Sequence, residues 1–195
     1  MNRITQLIDE HCPNGVELQS IDNLCDVFTG GEVPSDFIKS KKPEGDYIYP
    51  IYSNGINENA LYGYAKTFRI AEDAVTFSSI GTLGHPSIRA GKFTPVIRLK
   101  VLIPKDKTKL NLSFLKYSLE LADFSNNKSS VPNLNASMLK KIRIPVPPIL
   151  VQEEIVRILD SFTELEAMLE AELRARKTQY EYYRDKLLTF KELEA

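Results

Sequence analysis

Tryptophan is absent from this chain of 195 residues, and cysteine and histidine occur only twice each. Two cysteines, Cys12 and Cys25, cannot build the disulfide framework of a small secreted domain, which suits a reducing compartment. Together with His11 and His85 they match no zinc-binding spacing, so no metal site is expected. A P-loop, a dinucleotide-binding fingerprint, an Asn-Pro-Pro-Tyr type adenine-methylase motif and a nuclease metal cluster are all missing. The glycines of IGTLGHPSI follow a strand-like run but fit neither phosphate-binding pattern. No apolar run reaches the roughly 18 residues of a membrane span, and the opening MNRITQLIDEH lacks the apolar core of a signal peptide. The expectation is a cytoplasmic protein with no catalytic centre of its own.

Net charge is also nearly absent, at −1, but it is unevenly divided. Residues 1–88 carry 6 Lys and Arg against 12 Asp and Glu; residues 89–148 carry 12 against 3, and residues 149–195 carry 7 against 11. An excess of nine positive charges over the middle segment could neutralise several phosphates and would make binding salt-sensitive. Taken alone, the same charge could also be a solvated basic face.

What the chain has in abundance is helix-forming sequence near its end. Pro147 and Pro148 stop the preceding strand, and Pro148 suits the first helical position, where a missing N–H costs nothing. Glu153 and Glu154 are then expected in the first turn, favoured by the helix dipole. From Val151 to Phe190 there is no Gly or Pro, giving a helix of about 60 Å. Ile155, Ile158, Phe162, Leu165 and Leu169 form a seam at alternating three- and four-residue steps. Leu173, Arg176, Tyr180, Tyr183, Leu187 and Phe190 resume it one register over, after a four-four stutter that relaxes a left-handed supercoil. Arg176 on the seam requires a snorkelling path or a carboxylate. A helix this long cannot bury its stripe against one small domain, so a partner helix is expected.

Upstream, the pattern predicts an α+β chain with a mostly β head, residues 1–146, followed by one long coiled-coil-forming helix, residues 147–192. A short helix over 4–11 ends at Pro13-Asn14-Gly15. TGGEVPSDF reads as a turn whose backbone approaches something closely, and DYIYPIY as an aromatic strand interrupted at Pro50 and therefore at an edge. A second β region begins at Lys66 with KTFRI, DAVTFSSIG and TPVIRLKVLIP. In the last, Ile97, Leu99, Val101 and Ile103 face one way and Arg98 and Lys100 the other, as in a continuous half-buried strand. Residues 113–124 read as a helix with Leu115, Leu119 and Ala122 inward, capped by Asn111 or Ser113. A helical turn over 136–140 and a strand, KIRIPV, complete the head. Tyr47, Tyr49 and Tyr52 are read as packing residues rather than base-stacking ones.

The stretch IPVPPILVQEEIVRIL followed by RKTQYEYYRDKLLTF resembles the helical region of specificity subunits of type I restriction-modification systems. A strand ending in a double proline, a Gln-Glu near the helix start, and the Tyr-Tyr-Arg-Asp-Lys-Leu-Leu run from Tyr182 to Leu188 carry the likeness. The head is similar to that family's target recognition domain in its glycine near position 30 followed by a proline, its Asn54-Gly55 turn, its IGTLG loop and its VPNLN…LKKIRIPVPP exit. One recognition domain and one helix make half of the family's usual subunit, which carries both twice, so the expectation is either a natural half-subunit or a piece of a longer chain.

The resemblance implies a non-catalytic subunit that reads a half-site of double-stranded DNA. It further implies methylation subunits holding S-adenosylmethionine and a restriction subunit using ATP and Mg, with no cofactor bound by this chain. A half-length form is completed by an antiparallel homodimer through the helix, using Ile155, Ile158, Phe162, Leu165, Leu169, Leu173, Tyr180, Tyr183 and Leu187. Candidate DNA contacts are Thr82, His85, Ser87, Arg89 and Lys92 in one loop, and Asn126, Asn127, Lys128, Ser129, Ser130 and Asn133 in a second. Ser53 and Asn54, with Asn57 beside them, form a third. Two rival readings are a coiled-coil adaptor whose head binds protein, and a small hydrolase using Cys25 or His85.

Overall fold

The computed structural model describes residues 3–79, 85–122 and 135–190. The chain divides into two compact units, Met1–Glu153 and Glu154–Ala195. Helix α1 (Arg3–His11) opens the first unit, and Gly15 donates to the Cys12 carbonyl in the turn after it. Strand β1 (Leu18–Ser20) leads into a single helical turn, α2 (Ile21–Leu24), capped by the Ser20 hydroxyl. β2 (Cys25–Thr29) follows.

Two four-stranded sheets form the body of the head. The first contains β2, β6 (Ala74–Phe77), β7 (Ser87–Arg89) and β9 (Lys100–Pro104), in the antiparallel order β2-β9-β6-β7. All four residues of β6 are buried, which marks it as the covered centre of the head. The second contains β3 (Phe37–Ile38), β4 (Tyr49–Tyr52), β5 (Leu61–Ala65) and β8 (Thr94–Pro95), in the order β3-β5-β4-β8, with β4 and β8 parallel. Ile70, Ala74, Phe93 and Val101 make one core cluster, on which Tyr52 packs from the second sheet. Ile51, Ala65 and Val96 make another.

Helix α3 (Leu112–Leu121) is capped by Asn111, whose Oδ1 accepts the Phe114 N–H at 3.0 Å, and it buries Phe114, Leu115 and Leu119. Helix α4 (Ala136–Lys141) is capped the same way by Asn135. β10 (Arg143–Pro145) returns to pair antiparallel with β1. Helix α5 spans Ile149–Leu188, about 60 Å at the usual rise.

Four sequence expectations are corrected. Pro50 does not break β4, and β4 is flanked by β5 and β8 rather than lying at an edge. The two-residue β8 pairs only with Ile51 and Tyr52, so at Pro50 the strand has a neighbour on one side only and the missing N–H is tolerated. LYGYA, unassigned from the sequence, is β5, whereas KTFRI is a turn region that carries an isolated Ile70–Phe93 bridge and no strand. TPVIRLKVLIP is not one strand; it is cut into β8 and β9 by a reversal at Ile97 and Arg98. Pro148 lies just before α5 rather than at its first position, its carbonyl accepting the Gln152 N–H, and with the helix beginning at Ile149, Glu153 and Glu154 fall in its second turn rather than its first.

Gln152, fully buried, fastens the start of α5 within the head. Its Oε1 accepts the Asn111 N–H at 2.9 Å, and its Nε2 donates to the carbonyls of Lys109 at 2.8 Å and Pro147 at 2.7 Å. The amide is thus matched on both ends, which is how a buried polar side chain avoids a desolvation penalty.

In the second unit, Arg157 donates two hydrogen bonds to the Glu154 carboxylate, at 2.9 and 2.7 Å. Arg176, on the seam, reaches Glu172 at 3.4 Å and Gln179 at 3.2 Å, so its charge is satisfied along the same helix. Ile155 and Ile158 are half-buried. Leu159 is half-buried as well, and from Asp160 onward every described residue is exposed: Phe162, Leu165, Leu169, Leu173, Tyr180, Tyr183 and Leu187 lie between 47% and 69%. No described helix is long and apolar enough to cross a membrane.

Candidate nucleic-acid interface

Thr82, Asn126, Asn127, Lys128, Ser129, Ser130 and Asn133 lie outside the described residues. The remaining candidates fall on two neighbouring parts of the head. His85 is exposed just before the edge strand β7, which carries Ser87 and Arg89; Lys92 is exposed on the turn that follows. Ser53 and Asn54 leave the end of β4. The bridge between the two parts is Arg89, whose guanidinium sits over the Tyr52 ring at 4.2 Å. Tyr52 itself meets Phe93 edge-on at 5.8 Å, so the arginine rests on a ring anchored in the core.

Burial works against the Arg89 charge and lowers its pKa, with Tyr52 acting the other way. Its Nε is buried with no hydrogen-bond partner. The unpartnered Nε is closed to solvent, so an anion or a base edge would have to be met by the rest of the guanidinium, which the ring holds in place. Lys92 is placed in a similar way, with Nζ 4.9 Å from the Phe68 ring. The tyrosines serve packing: Tyr47 donates to Asp36 at 2.5 Å beneath Lys66, and Tyr49 meets Phe68 edge-on at 4.9 Å.

Asn54 and Ser53 have internal roles. The Asn54 Oδ1 accepts the Ser79 N–H at 2.9 Å and the Ser78 hydroxyl at 3.3 Å, and its Nδ2 donates to the Ile97 carbonyl. Ser53 is buried, with its N–H on the Ala60 carbonyl. Asn54 is therefore a clasp joining the ends of β4 and β6 to the segment 96–99, with its amide committed inside the head.

That segment is the feature sequence reasoning missed. Ile97 and Arg98 have φ of 52° and 61°, and the Leu99 N–H donates to the Val96 carbonyl at 3.1 Å. This is a type I′ turn. A β-branched residue in the left-handed region is a genuine outlier, and such residues cost on the order of 1–3 kcal/mol each. The backbone opposite is Gly30 and Gly31. A Cβ on Gly30 would lie 2.8 Å from the Val96 nitrogen and 2.9 Å from the Pro95 carbonyl carbon. The close approach expected of TGGEVPSDF is this one. Lys100, next to the turn, is 6% exposed and donates to the Thr29 hydroxyl at 3.2 Å; burial, then Arg98, lowers its pKa.

Cys25, considered as a nucleophile, is 1% exposed, and burial pushes its thiol up to about 12. A thiol in that state supplies almost no thiolate at neutral pH, which removes it as the centre of a hydrolase.

Residues 13–175 match the family model of the type I restriction modification DNA specificity domain, and the chain belongs to that family. A putative type I specificity subunit of Mycoplasma pneumoniae is 34% identical over 175 residues, covering 89% of this chain and 47% of that protein. The specificity subunit of a type I restriction enzyme of Escherichia coli is 42% identical over 180 residues, covering 85% of this chain and 43% of that one. Among solved structures, a chain from a study of complex assembly in a type I restriction-modification system aligns with a TM-score of 0.72 at 18% identity, covering 95% of this chain and 49% of that chain. The specificity subunit from M. genitalium aligns at 0.58 with 23% identity, over 88% and 46%. These two likenesses establish the fold. The chain spans about half the length of the relatives it matches here.

Proposed function

We propose that the chain reads a half-site of double-stranded DNA with its head, and that α5 joins two copies into an antiparallel homodimer. The dimer would direct methylation subunits and a restriction subunit to the site. The observation that carries this reading is the unburied apolar stripe from Phe162 to Leu187 on a member of a DNA-specificity family. Exposed apolar surface of that extent marks an interaction site. A second copy supplies a matching stripe, and a closed twofold pair leaves none of it open-ended.

The basic segment 89–148 supplies phosphate attraction, and Arg89 with His85, Ser87 and Lys92 supplies directed contacts. The chain itself is non-catalytic. S-adenosylmethionine, ATP and Mg belong to the partner subunits, and the cytoplasm is where host DNA and those subunits meet.

Two identical readers held by a twofold axis recognise an interrupted palindrome, because site symmetry mirrors protein symmetry. The test is co-expression with a type I methylation subunit from the same source, followed by single-molecule sequencing of host DNA for methyl-adenine. An interrupted palindrome is the expected result. An asymmetric interrupted motif would refute the homodimer, and absence of new methylation together with absence of DNA binding would refute the recognition role.

A further inference from the structure

If chain reversal were all that the segment 96–99 had to achieve, Asn-Gly would achieve it without strain. The chain instead places Ile97 and Arg98 at the two positive-φ positions. What that choice keeps is two side chains. Ile97 is 44% exposed and Arg98 is exposed, although Val96, Leu99 and Lys100 around them are buried. Among the described residues, the Arg98 guanidinium has no hydrogen-bond or ion-pair partner, so all of its donors are available.

The turn is also held from several sides. Ile97 donates its N–H to Gly31 at 2.8 Å and Arg98 donates to Gly30 at 3.1 Å. Their carbonyls accept from Asn54 Nδ2 and from the Ser79 hydroxyl, the latter at 2.9 Å. Every backbone polar group of the pair is therefore fixed, by three separate segments of the head. A strained conformation that is over-determined in this way is a means of aiming side chains.

We propose that Ile97 and Arg98 form a rigid base-reading tip, Arg98 donating to O6 and N7 of a guanine in the major groove and Ile97 packing on the methyl of a neighbouring thymine. The proposal rests on the DNA-recognition role given above. A phosphate contact needs only a flexible cation, and nothing about a phosphate calls for a locked turn or an apolar neighbour. A bidentate guanine contact needs the fork of an arginine held at a fixed angle, and a thymine methyl is an apolar target beside it.

The experiment uses the full chain and a pool of randomised duplex DNA, with the selected sequences read for parent, Arg98→Ala, Arg98→Lys and the double variant Ile97→Asn with Arg98→Gly. Both single variants are expected to lose about tenfold or more in discrimination at one G·C position while the other positions hold. The double variant is expected to melt above the parent, because its turn is unstrained, yet to relax the motif at that position and the adjacent one. A purely structural turn would raise stability and leave the motif intact, which would overturn the proposal. Uniform weakening across all sequences with a shallower salt dependence would make Arg98 a phosphate contact and overturn it as well. Failure of the parent to enrich any motif would refute the recognition role itself, an outcome visible before any substitution is made.

Discussion

Replacing Gln152 by Leu keeps roughly the same volume and removes three hydrogen bonds from a fully buried position. The Asn111 N–H loses its acceptor, and the carbonyls of Lys109 and Pro147 lose their donors. An unsatisfied buried group costs about 1–3 kcal/mol. Lys109 is exposed, so water can partly replace the bond to its carbonyl. The total for the variant is therefore about 2–5 kcal/mol, or a fall in Tm of about 5–15 °C for a chain of this size. Gln152→Glu separates the hydrogen bonds from the packing. Its carboxylate could still accept from Asn111 but would face two carbonyl oxygens, so its pKa should rise above that of an unfolded glutamate. For a raised acid the folded state holds more protons, and stability falls as pH rises through the unfolded value. The Glu variant should therefore recover stability on acidification toward about pH 4.5, whereas the Leu variant should show the same deficit at every pH. Thermal melts of both against the parent test this. A Leu variant within about 2 °C of the parent would show that the amide is not what fastens the helix start.

Three further outcomes follow from the same geometry. Leu165→Glu with Leu173→Glu removes four large side chains from a two-copy seam, roughly 6–12 kcal/mol of gross burial; light scattering is expected to show a dimer for the parent and a monomer for the variant, and a monomeric parent would refute the pairing. Gly30→Ala places a methyl against the Val96 and Pro95 backbone, so the head should lose about 1–3 kcal/mol in denaturant melts together with its DNA sequence preference; retention of both would refute the close approach. Lys100 carries a pKa lowered by burial and by Arg98, so its charged form is disfavoured in the folded state. The parent should gain stability as pH climbs toward the ordinary lysine value of 10.5. Lys100→Met should melt above the parent at neutral pH, with a gap that narrows as pH rises, and a constant gap would refute the assignment.

Elements written in local signals were legible. The double proline and the forty-residue run without Gly or Pro delimited α5, and Asn111 three residues before Phe114 marked the start of α3. β5 was not legible, because Gly63 sits in its middle and reads as a breaker. It is required there by a tertiary fact, since a side chain at that position would run into the Ile38 carbonyl. The candidate site was legible as residue types and not as roles. Arg89 stood out as a cation in a loop-rich basic segment, but its seat on Tyr52 depends on the two sheets meeting. Asn54 looked like a base contact because amides pair well with adenine; the fold commits that amide to holding other backbone in place.

The segment TPVIRLKVLIP shows most clearly where local reasoning fails. Its alternation of apolar and charged residues satisfies every period-two rule for a strand, and no residue in it favours a positive φ. The signal for the turn lies elsewhere, in the Gly30-Gly31 pair and in Asn54, Ser79 and their hydrogen bonds. Local preference and global fold disagree here, and disagreements of that kind concentrate where a protein touches its target. On the proposed recognition role, a scaffold that presents a different surface to each DNA sequence would gain from such an arrangement. The clamping groups are backbone carbonyls and N–H groups, with Asn54 and Ser79, so the identities at 97 and 98 are free to change while the turn is kept. Exchanging Ile97 and Arg98 for other exposed pairs should therefore alter which base pair is preferred without altering the fold.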